Sequence, residues 1–573
     1  MNIRRYNTDV LVVGGGGAAT AATIAAHEKG ARTMLAVKGQ FGVPGVRGAG
    51  ATSNPLGDFW TIRTVGPKGG LFNPPDAIHA DMIQAGLGMA DPELCRIFVD
   101  EVSAAIKRLQ TMGMEFESKM LATMEGRASK GKTNRIVAIQ KAIIEHTGTQ
   151  VLEQANLTDL VVDGGRCIGA VGIDDQGEPF VVEAGAVIMA TGGVGQLFQY
   201  SFNPPGNTGD GYAMAMRAGA ELFNMEFMQQ GLATTWPQQV MVMLYEMEEP
   251  YRLLNINGEA FLPNYYEDAD SLAEGCRLKG SHWPVSCRDS SFHIDRAIKT
   301  EVLAGRGTKF DAVYLDLSQA RRGYQPELFE EFMLSRGIDI QNDLLQVQIH
   351  HHSSNGGIRI DKNAQSKLPG FYAVGETSGW QGADRLGGTM LGGSQVFGWR
   401  AGHHAGDQCN GQASHSISEA QVEPLFAPMR AFQAVKGDTD IQTMRAELQR
   451  KMWQLLTVVK DAETLDEARA YIRFARERLA IDLVIREPFD YALAYEQRNL
   501  LDVAEAIVEA ADMRTESRGP HYRSDYPERN DEEWMTNIFA TWKNGALELR
   551  RHWINEDVGW QDRDGDIRIS PWG

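Results

Sequence analysis

An α/β fold organised around a parallel sheet is predicted by two local observations. The opening stretch TDVLVVGGGGAATAATIAAHEKGARTMLAV reads as an apolar strand (Val10 to Val13), a glycine turn, an alanine-rich helix and a second strand (Thr33 to Val37), which is a βαβ unit. Two further apolar strands also end in glycine, at AVIMATGGVGQ (Ala186 to Gln196) and GFYAVGETSG (Gly370 to Gly379). Further along, ELQRKMWQLLTVV and NLLDVAEAIVEAADM carry apolar residues at helical spacing and predict a helical unit in the C-terminal part.

The totals bound the answer. A chain of 573 residues is too long for one core of ordinary size, and 43% hydrophobic with 23% charged residues is a globular balance. With 75 acidic against 56 basic residues the net charge is −19, which argues against a nucleic-acid partner. The cysteines (Cys95, Cys167, Cys276, Cys287, Cys409) lie far apart with no C-x-x-C pair, so an internal iron-sulfur cluster or structural zinc is not expected, and a reducing compartment suits them. Arg4 and Arg5 are not followed by an export signal, and no stretch approaches the roughly 20 apolar residues of a spanning helix. A cytoplasmic location is the expectation.

In the first turn, Gly14 permits the tight bend, Gly16 lets a pyrophosphate approach the backbone and Ala19 keeps the helix close to the sheet, a G-x-G-x-x-A pattern. Gly17 and Ala18 open the helix, whose free N–H groups suit phosphate. The second strand ends in LAVKG, with Lys38 where a ribose-binding acid is expected, which argues against NAD and favours FAD with a variant ribose contact. Three strand-to-glycine returns suit one extended cofactor. Ala190, Thr191 and Gly192 form the second return, and Glu376 in the third is placed to bond ribityl hydroxyls. The run LLQVQIHHHSSNGGI alternates in polarity as a strand does, so its three neighbouring histidines cannot all aim at one metal, and none is predicted.

At ATGGVGQLF, NTGDGYAMAMRAGAELFNMEF, LPGFYAVGE, GADRLGGTMLGG and RTESRGPHYRSDYPERNDEEW the chain resembles, nearly end to end, the flavoprotein subunits of succinate dehydrogenase and fumarate reductase, with their relatives L-aspartate oxidase and the adenylylsulfate reductase alpha subunit. The resemblance implies a discontinuous Rossmann-like FAD-binding domain (1 to 227 and 349 to 412), an inserted α+β capping domain (228 to 348), a C-terminal helical domain (413 to 525) and a tail (526 to 573). It adds Gly48, Ser53, Ala155, Asp210, Met390 and Leu391 to the expected FAD contacts. Ala49 stands where covalent members bear a histidine, so FAD is expected to be held noncovalently, and Asn54 is expected near the substrate.

The same resemblance implies hydride transfer between flavin N5 and a carbon beside a carboxylate, with proton exchange on the neighbouring carbon. Arg385 matches the carboxylate-clamping arginine. Arg288, with Asp289 beside it, matches the proton-shuttling arginine in preference to Arg296. A guanidinium pKa above about 12 requires a closed site and an acidic relay for that role. Counting back from Gly356 gives His352 as the histidine donating to the substrate carboxylate. The pattern breaks at the second carboxylate clamp: Gly231 replaces its histidine, and its hydroxyl residue projects near Met243. Losing two donors forfeits about 3 to 6 kcal/mol, so a simple C4 dicarboxylate is not expected. An acid with one carboxylate and an apolar remainder lined by Trp236, Met241, Met243 and Tyr245 fits as well as a reading of those residues as capping-domain core. The runner-up is an adenylylsulfate reductase-like enzyme using a flavin N5-sulfite adduct, and a third reading is a noncatalytic electron-relay flavoprotein. A separate iron-sulfur (ferredoxin-like) electron-transfer subunit is one implied partner, and homo- and hetero-oligomers both remain open.

Overall fold

The computed structural model describes residues 3–53, 61–66, 73–117, 128–131, 135–236, 239–242, 252–280, 282–318, 330, 333–340, 342–409, 416–543, 545–555, 559–560 and 567–569. Its central sheet begins with β1 (Arg4–Val13), which runs longer than the apolar core of its sequence because the polar residues at its start are only partly covered. The helix α1 (Gly17–Glu28) leads to β2 (Thr33–Ala36), then β3 (Gln150–Leu152), β4 (Ala155–Asp163), β5 (Arg166–Asp174) and β6 (Pro179–Met189). The order across the sheet is β3-β2-β1-β6-β5-β4, and Phe371–Ala373 adds a further parallel strand beside β6. The pairings β1 with β2, β1 with β6 and Phe371–Ala373 with β6 are parallel, whereas β4, β5 and β6 form an antiparallel meander. Register aligns Ala36, Val13, Met189 and Ala373 in one row. The three glycine returns therefore leave the sheet at adjacent carboxyl ends, the edge where open α/β sheets bind ligands.

The alanine-rich composition of α1 has a packing cause. It is buried from Gly17 to Ala26, pressed between the sheet and the long helix Thr389–Cys409. A Cβ at Gly398, Gly402 or Gly406 of that helix would meet the backbone carbonyl oxygens of Ala18, Ala22 and Ala26 at 2.8, 2.4 and 3.0 Å. Small residues four apart on both helices let the backbones approach.

The inserted unit carries an antiparallel sheet of Met228–Trp236, Leu345–Ser354, Val313–Asp316 and Arg252–Leu254 in that order, backed by the helices Ala269–Lys279 and Phe292–Glu301. It has its own core, in which Leu232, Leu253, Ile298, Leu315 and Val347 are packed together. The strand Leu345–Ser354 is buried on both faces, as a central strand must be, and so needs no strict alternation.

The helical unit consists chiefly of Ile441–Leu456, Ala462–Ile481 and Phe489–Met513. Buried acids on the last of these are paired: Asp502 with Arg217, Glu505 with Arg476 and Glu509 with Arg469. The motif RTESRG follows, with Arg514 clamped between Glu226 (2.7 Å) and Glu516 (2.9 Å), all fully buried. This ties the C-terminal segment to the point where the chain enters the inserted unit. Beyond it the expected tail is structured: Thr536–Lys543 and Ala546–Asn555 form a hairpin that pairs with Leu222–Phe223. Among the described residues no helix is long and apolar enough to cross a membrane, and no group of three or more His, Cys, Asp or Glu side chains forms a metal site.

Candidate active site

A cavity of about 530 Å³ runs from the glycine returns to the inserted unit. At one end Gly14, Gly16, Gly17 and Ala18 line it, and Gly16 precedes α1 without any side-chain cap. The backbone has no room for side chains at its first two glycines: a Cβ on Gly14 (φ +125°) would stand 2.3 Å from the Ala190 oxygen, and one on Gly15 would stand 2.3 Å from the Gly48 oxygen. A turn of bare backbone feeding a helix N-terminus suits a pyrophosphate. Ala19 is fully buried behind it against the sheet.

Lys38, Ala155 and Asp210 lie along the wall beyond the second strand. The Lys38 ammonium is bound by Thr208 Oγ1 (2.6 Å), Asp210 (2.7 Å) and Glu496 (2.9 Å), the last reaching across from the helical unit. Burial would raise the Glu496 carboxyl, but Lys38, Arg47 and Arg445 overcome it and hold the group well below the usual range. Ala190, Thr191, Gly192, Glu376, Met390 and Leu391 line the middle of the cavity. There Glu376 accepts the Ser354 N–H (2.9 Å), and burial pushes its carboxyl up to about 7. Asn207 lines the same stretch, and its amide nitrogen is buried and without a partner. Gly48 lines the cavity, whereas Ala49 and Ser53 are buried beside it and do not; Thr52, not singled out by sequence, lines it instead and accepts the Gly17 N–H at 3.3 Å. The glycine cradle and the orphaned amide fit a long, polar dinucleotide such as FAD.

At the far end, three separate stretches converge. Arg385 Nη2 donates to Gln229 Oε1 (2.8 Å) and Ser353 Oγ (3.2 Å) and lies 3.3 Å from His352 Nδ1. Its Nε is buried with no partner. Burial lowers the Arg385 pKa, opposed by Asp384 and Glu376. His352 places Nδ1 2.8 Å from Gln229 Oε1, while Gln229 Nε2 donates to Asp384 at 3.2 Å, which fixes the amide orientation. With Nδ1–H committed to Gln229, donation from Nε2 requires the doubly protonated ring. Burial, then Arg385, holds the His352 pKa well below its ordinary value.

Arg288 lines the same chamber, with its Nη1 3.9 Å from Asp384 Oδ2 and its Nε 3.7 Å from Asp289 Oδ2. Asp289 sits behind it, off the cavity wall. Burial would raise that carboxyl, and hydrogen bonds from His282 and Ser291 more than offset it, holding it well below the usual range. Arg296 belongs to the helix Phe292–Glu301 and does not line the cavity. Nor does Trp236: a register shift at the end of its strand leaves it 48% exposed. Met241 does line the chamber, whereas Asn54, Met243 and Tyr245 lie outside the described residues.

Sequence reasoning missed Gln229, His282 and Trp283, all on the chamber wall. Gln229 sits in MEFMQQG, two positions before the missing clamp residue, but its role depends on contacts more than 100 positions away. Trp283 explains the missing clamp. A Cβ on Gly231 would fall 2.2 to 2.5 Å from three indole atoms, so the ring fills the space a side chain at 231 would need. The indole is anchored by Nε1 donating to the Leu232 oxygen (3.0 Å) and stands edge-on to His352 at 5.0 Å.

Comparison with known proteins agrees with this layout. The FAD binding domain family matches residues 9–391, and the fumarate reductase flavoprotein C-terminal family matches residues 445–561. An uncharacterized FAD-dependent oxidoreductase of Methanocaldococcus jannaschii is 30% identical over 94% of this chain and 96% of its own length. A fumarate reductase (CoM/CoB) subunit of Methanothermobacter marburgensis is 30% identical, covering 95% of this chain and 98% of that one. Among solved structures, Mycobacterium smegmatis Sdh1 in complex with UQ1 superposes with a TM-score of 0.79 at 26% identity, covering 99% of this chain and 94% of that one.

Proposed function

The chain belongs to the fumarate reductase and succinate dehydrogenase family of FAD-dependent oxidoreductases, and on that premise we propose that it acts on a carbon–carbon bond beside a single carboxylate. The glycine turn would hold the pyrophosphate, the Lys38 and Asp210 wall the adenosine half, and Glu376 with Asn207 the ribityl chain. Bound FAD supplies the hydride acceptor or donor at the chamber. Ala49 offers no nucleophile, so we read the cofactor as noncovalently held, and denaturation should release all of it.

The observation that carries the reading is the buried, partnerless Nε of Arg385. Its Nη2 already donates to Gln229 and Ser353, and the Nε beside it on the same edge of the guanidinium is a single donor left without an acceptor. A substrate carboxylate would supply that missing acceptor, close beside His352. Arg288 then stands across the chamber with carboxylates at its back, able to hold a proton at its guanidinium toward the reacting carbon. Phe202, Trp283 and Leu386 give the chamber an apolar lining, which favours a proton role for an arginine.

Trp283 supports the choice of one carboxylate. Where the resemblance expects a second anion clamp, the chamber presents an indole, and a carboxylate against it would lose its hydration with no donor in exchange. A separate iron-sulfur protein as electron partner accords with the Methanothermobacter marburgensis relative, itself named as one subunit of a fumarate reductase, and with cysteines that stand singly.

The test is an anaerobic screen of saturated and unsaturated monocarboxylates, C4 dicarboxylates, and AMP with sulfite against the flavin spectrum of the holoprotein. We expect a monocarboxylate with an apolar remainder to reduce or reoxidise the flavin. Turnover of succinate or fumarate in preference to every monocarboxylate would overturn the substrate reading. A sulfite adduct followed by consumption of AMP would replace it with the adenylylsulfate reductase type.

A further inference from the structure

His282 is a buried chamber-wall residue that none of the chemistry above uses. Its Nδ1 lies 3.1 Å from the Pro284 carbonyl oxygen, which can only accept. Its Nε2 lies 3.1 Å from Asp289 Oδ2, again an acceptor, and 3.0 Å from Ser291 Oγ. A neutral imidazole has one N–H and cannot donate to both acceptors; the imidazolium can. We propose that His282 is a positioning residue for the same reaction: as an imidazolium it holds the Asp289 carboxylate against Arg288 and so keeps that guanidinium aimed into the chamber. The inference rests on the reading of Arg288 given above.

Arg288 needs such support. Its side chain is 33% exposed, and its two carboxylate neighbours stand at 3.7 and 3.9 Å, so packing alone does not fix it. Asp289 is oriented by two groups: the Ser291 N–H donates to Oδ1 (3.0 Å), and His282 donates to Oδ2, the oxygen that faces Arg288 Nε. When the ring loses its second proton, Nδ1–H stays on Pro284 and the bare Nε2 turns its lone pair toward the carboxylate. The Ser291 hydroxyl then becomes the donor to Nε2, and the contact that held Asp289 becomes repulsive. The pair is thus a two-position element: histidine donating to Asp289, or serine donating to histidine.

Charged groups from each neighbouring element surround the pair. Asp289 is the nearest charge. Asp295, from the helix Phe292–Glu301, is fully buried close by. Lys279, from the helix Ala269–Lys279, neutralises Asp295 at 2.7 Å and shares the Pro284 oxygen at 3.4 Å. Asp384 lies beyond Arg288. Asp289 and Asp295 are the acids at His282, with Lys279 and Arg288 as the opposing cations.

The experiment uses holoprotein labelled with ¹⁵N-histidine, the His282 signals being those lost in His282→Gln. At the pH of greatest turnover we expect both His282 nitrogens to be protonated, and the change to a neutral ring at higher pH to run parallel with the fall in kcat, with crotonate as probe for dithionite-reduced enzyme. His282→Gln, whose amide donates at every pH, should keep kcat within a few-fold and flatten that alkaline limb. His282→Leu should lower kcat by about 10- to 100-fold with KM and FAD content unchanged, as expected for a misaimed group. A neutral His282 at the pH of greatest turnover, or an alkaline limb shared by all three proteins, overturns the proposal. Turnover retained by Arg288→Gln, or by no acid of the wider screen, would remove the reading of the site itself, whereas the histidine signals report the ring's protonation in either event.

Discussion

Replacing Gly231 by alanine adds one methyl group, and the structure says what it must displace. The new carbon would stand 2.2, 2.4 and 2.5 Å from Cζ2, Cε2 and Cη2 of Trp283, rigid ring atoms with no free end to swing away. Ordinary carbon contact is about 3.5 to 4.0 Å, so the indole must shift by more than about 1 Å. Forcing a buried ring aside costs about 1–3 kcal/mol. Losing the bond from Nε1 to the Leu232 oxygen (3.0 Å) adds about 0.5–1.5 kcal/mol. Together we expect about 1.5–4.5 kcal/mol of destabilisation, read as a lower urea midpoint of holoprotein at fixed FAD concentration with unchanged slope. Because the indole stands against His352, affinity for a monocarboxylate should weaken in the same variant. Gly231→Ala combined with Trp283→Leu should recover much of the loss, a coupling of at least about 1 kcal/mol in the double-mutant cycle. A Gly231→Ala protein within about 0.5 kcal/mol of the parent, or strictly additive penalties, would refute the claim that the indole fills the place of the second clamp.

Arg385→Met keeps the bulk of the side chain and removes the guanidinium; monocarboxylate affinity, followed by spectral titration, should fall about 10- to 150-fold, the equivalent of about 1.5–3 kcal/mol for a charged hydrogen bond. Glu376 titrates in the opposite sense to a paired acid. Its folded carboxyl, pushed up to about 7 by burial, lies above the unfolded value, so its contribution is fully present at low pH and is lost as pH rises toward 7. Glu376→Gln should therefore gain stability over the parent at pH 8, at most on the order of 3 kcal/mol, and little at pH 4. Urea unfolding of the FAD-free proteins at both pH values checks this, and parallel pH profiles would contradict it.

The nucleotide half of the site was legible because its signals are local. A strand, a glycine turn and a helix lie within one short run, and the three returns fall into one row once β1, β6 and Phe371–Ala373 pair in parallel. The chamber was legible only in part. Arg288, His352 and Arg385 carry recognisable neighbours, and the structure gathers them in one cavity. Gln229, His282 and Trp283 carry none: Gln229 and Trp283 act through partners that the chain brings from elsewhere, and His282 through Pro284, Asp289 and Ser291, neighbours in no recognisable pattern. Trp236 illustrates the converse error of composition, since an aromatic near the site in sequence ends on an exposed strand end, while Trp283, 47 positions later, takes the wall. Gly231 read as a missing donor in sequence. In three dimensions it is a position that must stay bare because an indole occupies its space.

The central claim is that Arg288, His352 and Arg385 act together at one FAD site, and Arg288 tests it most directly because its side chain bonds to no part of the glycine cradle. In Arg288→Gln holoprotein, the account predicts an unaltered FAD content and monocarboxylate affinity within a few-fold of the parent, with turnover lost. Turnover at the parental rate with FAD still bound would contradict it.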